Sequence, residues 1–158
     1  MMKKLLFLMF GLIVIVGQLA IAQCVPDPQY TQPGVYPDTA TGLPCAVNGI
    51  LYNEDINLVA PVDTVIGGFP LPIDSLVLTS LTGLPPGIGY TCGGTLNNST
   101  YSWGGGDAGC INLTGVATIN GTYDILAIVE SYLAGATAPA GTEYVDYYSI
   151  TVADSCIV

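Results

Sequence analysis

Asn120-Gly121-Thr122-Tyr123-Asp124-Ile125-Leu126-Ala127-Ile128-Val129 is the stretch on which the reading of this chain turns. An Asn-Gly pair supplies positive φ cheaply at both central positions of a two-residue type I′ turn, so the sequence predicts a hairpin here, joining two antiparallel strands. In the strand that follows, Tyr123, Ile125, Ala127 and Val129 point one way while Leu126 and Ile128 point the other. A strand apolar on both faces belongs in the middle of a sheet with cover on each side.

Working outward, apolar residues alternate at period two or run in short blocks, and Gly or Pro interrupts them about every ten residues. No amphipathic helix is readable beyond residue 22. Strands are expected at Val47–Tyr52, Ile56–Ala60, Ile73–Leu81, Gly87–Thr91, Cys110–Ala117, Thr122–Tyr132 and Glu143–Val152. Short strands at this spacing make an all-β sandwich of about seven strands. Residues 23–46 hold Pro26, Pro28, Pro33, Pro37 and Pro44. Proline withholds the donor that a central strand needs, so this segment is expected as an extended arm, leaving 47–158 as the sandwich.

At the N-terminus Lys3 and Lys4 precede an apolar run from Leu5 to Val16, and small residues follow, ending Ala20-Ile21-Ala22. That is the pattern of a cleaved signal peptide over 1–22. The run is too short to span a bilayer, which takes about 20 apolar residues. Lipid attachment at Cys24 would want a small residue before it, and Gln23 is not small. The expected destination is secreted, cell-surface or periplasmic, with no integral membrane segment after cleavage.

Lys3 and Lys4 are the only cationic side chains, there is no His, and all twelve Asp and Glu lie beyond the signal. A purely anionic chain repels nucleic acid and anionic lipid, which excludes nucleic-acid binding. Without His there is no Ser-His-Asp or Cys-His nucleophile and no imidazole-bound zinc; without Lys there is no Schiff base. A glycosidase-like carboxylate pair would need a groove holding two carboxyls about 5–10 Å apart, which the short loops of one sandwich do not predict. No enzyme and no cofactor are therefore expected. An apolar content of 51% speaks for a buried core rather than disorder.

Five cysteines, Cys24, Cys45, Cys92, Cys110 and Cys156, lie in the exported part, where thiols oxidise. Cys92 and Cys110 bracket a Gly-rich segment, Gly93-Gly94 through Gly104-Gly105-Gly106, and are expected to pair and pin it. Cys24 with Cys45 would pin the arm, with Cys24–Cys156 as the alternative.

Leu81-Thr82-Gly83-Leu84-Pro85-Pro86-Gly87-Ile88-Gly89-Tyr90, then Leu113-Thr114-Gly115, then Gly121-Thr122-Tyr123-Asp124-Ile125, occur in the order found in immunoglobulin-like, cadherin-like (dystroglycan-type) domains. Over residues 47–153 the chain resembles the versions in secreted Bacteroidetes proteins, with Cys92, Trp103, Gly109 and Cys110 matching their cysteine-bracketed loop. The resemblance implies an immunoglobulin-like β-sandwich and a structural or adhesive, non-catalytic module of the cell envelope, with a protein or glycan partner. Such modules are often followed by a C-terminal sorting domain, and no such tail is visible before Val158, so surface attachment stays open.

Two ligand readings accompany it. Cadherin-like modules use acidic loops, and Asn53-Glu54-Asp55, Asp63, Asp107, Asp146 and Asp154 offer hard oxygens for calcium, with Glu54, Asp55, Asp63 and Asp146 as the set to watch. The alternative is a carbohydrate-binding module. Its platform would use Trp103 and Tyr101, with Tyr132, Tyr144, Tyr147 and Tyr148 as further flat faces and Trp103 as the member expected at the surface.

Overall fold

Alternation of apolar and polar residues between glycine and proline breaks gives eleven strands among the described residues. They are β1 (Gly34–Tyr36), β2 (Ala46–Val47), β3 (Leu51–Val59), β4 (Asp63–Ile66), β5 (Phe69–Thr82), β6 (Ile88–Gly93), β7 (Thr95–Asn97), β8 (Thr100–Gly104), β9 (Ala108–Val116), β10 (Gly121–Leu133) and β11 (Gly141–Ala153). The computed structural model describes residues 24–97 and 100–156, so the segment read as a signal peptide lies outside the described residues. No helix occurs among the described residues, and none there could cross a membrane.

The strands form two layers. One sheet runs β1-β3-β9-β6; the other runs β2-β11-β10-β5-β8-β7, with β4 added along β5. In chain order β1, β3, β5, β6, β9, β10 and β11 take the places of strands A to G. The sheets are then A-B-E-D and G-F-C, which is the immunoglobulin-like sandwich. β2 lies parallel to β11, Ala46 opposite Val152, as a second segment of the first strand that has changed sheets. The layers close on Ile56, Leu78, Ile111, Leu113, Ile125 and Ile150, all buried.

β10 is a central strand, flanked by β5 and β11 as its two-sided apolar pattern predicts. The hairpin expected at Asn120-Gly121 is not formed. β9 and β10 belong to different sheets, so this turn crosses between layers. Gly121 has φ +155 and lies under the ring of Tyr123, whose hydroxyl donates to the Ile119 carbonyl at 3.1 Å. This is the tyrosine corner of the fold, and its geometry overrides the local turn preference. The same device recurs in β1: Gly34 has φ +156 beneath Tyr36, whose hydroxyl donates to the Gln32 carbonyl at 2.9 Å. A two-residue hairpin does form at Gly67-Gly68, with φ +60 and +86, and extends β5 back to Phe69.

The expected strands Val47–Tyr52 and Ile56–Ala60 regroup. β2 ends at Val47, a turn follows at Gly49, and β3 then runs unbroken through Asn53-Glu54-Asp55. Asn53 and Asp55 ride on its outer face, where the Asn112 amide donates to both, at 3.1 and 2.7 Å. The polar run therefore does not break the strand.

The proline-rich arm belongs to the sandwich. β1 adds to the edge of β3, and the stretch before it crosses the outside of the same sheet, where the Asp27 amide donates to the Asn57 side chain at 2.8 Å. Tyr148 and Tyr52 donate from the core to the Pro37 and Pro44 carbonyls.

Two disulfides fasten this path, Cys24–Cys110 and Cys45–Cys156; Cys92 is a buried free thiol. Neither the expected Cys92–Cys110 bridge nor the expected Cys24–Cys45 bridge forms. Residues directly opposite on paired strands share a face, and in the β6–β9 register Cys92 lies opposite Ile111 while Gly93 lies opposite Cys110. Cys92 therefore points into the core and Cys110 points out. Gly93 leaves the room that the outer bridge occupies: a Cβ there would stand 2.8 Å from the Cys110 sulfur and 2.3 Å from the Cys24 carbonyl oxygen. Cys24 and Cys45 lie at opposite ends of the arm and each meets a different sheet. The bridges span 86 and 111 residues, so on the chain-entropy account each stabilises by about 4–5 kcal/mol.

Two outcomes follow. Peptic mapping without reduction should give peptides linked 24–110 and 45–156, and Cys92 should alkylate only after denaturation; a 92–110 peptide would contradict the parity argument. Burial pushes the Cys92 thiol from 9.0 up to about 12, so above pH 9 the unfolded chain releases a proton that the folded chain retains. This contribution to stability is complete below pH 9 and is lost as pH rises toward 12, by at most about 1.4 kcal/mol per unit. Tyr52 and Tyr148, also raised by burial, act in the same direction above pH 10. Urea midpoints between pH 8 and 11 should fall, and less steeply in Cys92→Ala.

Candidate functional site

Trp103, expected at the surface, is 4% exposed. Its segment is not a loop but strand β8, paired along β5 with Trp103 opposite Leu76, which turns the indole inward. The indole N–H donates to the Gly93 carbonyl. Gly94 and Gly109 lie against the ring; a Cβ on either would stand 2.7 or 2.1 Å from the indole nitrogen. The glycines thus admit a buried tryptophan rather than shape a flexible loop. Tyr101 is half-buried and packs against the core cluster. This pair does not present a carbohydrate platform.

The acidic set is dispersed. Glu54 and Asp55 are consecutive on β3 and so face opposite sides, Asp63 opens β4, and Asp146 lies within β11. Among the described residues no three His, Cys, Asp or Glu side chains come together in a group that could hold a metal ion. Other acids fix turns. Asp38 accepts from the Thr41 amide at 2.8 Å, and hydrogen bonds from the Thr41 side chain and backbone hold its carboxyl below the usual range. Asp107 accepts from the Gly104 amide at 3.1 Å, and Asp154 from the Asn120 amide group at 2.9 Å.

What the two sheets do bring together is a surface. Ile125 and Ala127 of β10 are buried between the layers, so Leu126, Ile128, Glu130 and Tyr132 face outward. Ile128 lies between Tyr144 of β11 and Ser80 of β5, and Glu130 between Thr142 and Val77. Tyr144 is 63% exposed, whereas Leu126 and Ile128 are half-buried. The Tyr132 hydroxyl donates to Glu130 at 2.8 Å, and this bond beside a carboxylate raises the phenol's pKa. No third layer of the described chain covers this face. Near its edge a bulge places Asp146 and Tyr147 opposite Leu126. Tyr147 thereby comes within 4.6 Å of Tyr148, ring to ring, although neighbours on a regular strand would diverge.

Two concave features lie among the described residues. A shallow cleft of about 380 Å³ beside the Cys24–Cys110 bridge is walled by Gly94, Ser102 and Asp107. An apolar cavity of about 140 Å³ lies between the sheets; left empty, such a volume costs on the order of 3 kcal/mol.

No family model matches the chain, and no curated protein does. Among solved structures it is similar to SSP-19, an MSP-domain protein like family member of Caenorhabditis elegans, with 13% identity and a TM-score of 0.41 over 70% of this chain and 94% of that one.

Proposed function

We propose that the chain is a non-catalytic structural or adhesion module of an exported bacterial envelope protein, of the cadherin-like (dystroglycan-type) kind, and that it meets a protein partner through the outer face of β5, β10 and β11. One observation carries this reading: β10 is apolar on both sides, and the fold covers only one of them. Leu126 and Ile128 beside the exposed ring of Tyr144 give an aromatic-aliphatic centre, with Glu130 and Thr142 toward its rim. Interfaces are built this way. The two disulfides support export, since such bonds persist in oxidising compartments. The acids are assigned to turns and solvent rather than to calcium. A sugar platform on Trp103 is set aside because the indole is enclosed.

The oxidised domain, immobilised and exposed to an envelope extract of its own organism, should retain a protein that Tyr144→Ser combined with Ile128→Thr loses by about thirtyfold, the weight of one aromatic hot spot. Circular dichroism of the variant should match the parent. Equal retention by both proteins, or retention of polysaccharide alone, would sink the reading.

A further inference from the structure

The cavity between the sheets has a floor, walls and a mouth, and each has a distinct chemistry. Its deep part is formed by fully buried hydrocarbon, chiefly Ile56, Leu78, Ile111 and Ile125. Six further lining residues, Gly34, Val35, Pro61, Leu76, Val129 and Val145, are not buried. They gather at one end. Gly34 and Val35 lie opposite Val59 and Leu58, where β3 runs out, whereas β5, β10 and β11 continue past that level. The mouth therefore opens under the overhang of the longer sheet.

Nothing inside can hold water. The two lining side chains with polar atoms have turned them away: the Trp103 N–H is bonded to the Gly93 carbonyl and the Tyr148 hydroxyl to the Pro37 carbonyl. No buried side-chain nitrogen or oxygen among the described residues lacks a partner. A water molecule needs two to four polar partners, so a site of this kind stays dry and accepts an apolar guest; a comparable cavity of about 150 Å³ takes benzene. The mouth sets the second requirement. Glu143 lies directly opposite Val129 and so on the same face, beside the opening, and no Lys, Arg or His stands among the described residues. An anionic headgroup meets a carboxylate there and finds no cation.

From these observations we infer that the sandwich interior is a binding site for an uncharged hydrocarbon group, the size of benzene or a six-carbon alkyl chain, entering beneath the overhang. It is separate from the outer sheet face and does not depend on it. Thermal unfolding and methyl NMR of the oxidised domain with benzene, 1-hexanol and hexanoate test it. At ten times the Kd, benzene or hexanol should raise the midpoint by roughly 3–6 °C and shift the methyls of Leu78 and Ile125. Hexanoate should bind at least tenfold more weakly. Ala127→Leu, which fills the cavity, should abolish both effects, as should Val145→Phe at the mouth if the first variant does not fold. Overturning results are the absence of any midpoint or methyl shift with either neutral guest, shifts that persist in a folded variant, or hexanoate binding as well as hexanol.

Discussion

The arm from Cys24 to Cys45 is bonded covalently to a different layer at each end, and the rest of the architecture is arranged around that clamp. At one end Cys24 reaches Cys110 on the outside of the sheet containing β3, β6 and β9; at the other Cys45 reaches Cys156 just beyond β11. Between them the arm rounds the open edge of the sandwich and takes hydrogen bonds from Tyr148 and Tyr52 in the core. Antibody-type sandwiches tie their layers through the middle, with a cysteine two residues after the corner tyrosine. Here that position is Ile125, fully apolar and buried. The layers are therefore tied around the outside, and the interior is left to hydrocarbon.

A mismatch in length between the sheets generates both surfaces of interest. β5, β10 and β11 span 14, 13 and 13 residues, against nine each for β3 and β9. Where the shorter sheet ends, the longer one has lost its partner on the inside, and the cavity opens. On its outside the longer sheet presents Leu126, Ile128 and Tyr144 over an area that no other described strand covers. An apolar interior opening and an apolar outer face on one sheet both leave hydrophobic surface in reach of solvent, and both proposed contacts rest on it.

Periodicity alone made β9, β10 and β11 legible, because each buries alternate residues on the core side. It failed where tertiary context outweighed local preference. Asn120-Gly121 has the composition of a hairpin turn, yet the ring of Tyr123 stacked over Gly121 makes it a crossing between layers. Gly67-Gly68 had an equal claim to a hairpin and forms one. Proximity in sequence points to the wrong disulfides, whereas side-chain parity on β6 and β9 separates Cys92 from Cys110. Trp103 shows the same lesson: Gly94 and Gly109 have the composition of a flexible loop, but glycines converging on one tryptophan also mark a slot for its ring. The acidic residues carried no such signal, since Asp38, Asp107 and Asp154 serve turns that only the folded backbone defines.

The Cys45–Cys156 bond also determines how the molecule carries load. Tension arriving along the chain before Cys24 and leaving after Cys156 passes through the arm and then across that single sulfur bridge. Residues 46–155 form a covalent loop outside the force path, so among the described strands only β1, which lies within the arm, is pulled upon. Cys24–Cys110 holds the arm itself against the sandwich from the other side. Under traction the domain behaves as a short tether with a passenger fold, and the outer face of β5, β10 and β11 keeps its shape while the arm beside it is taut.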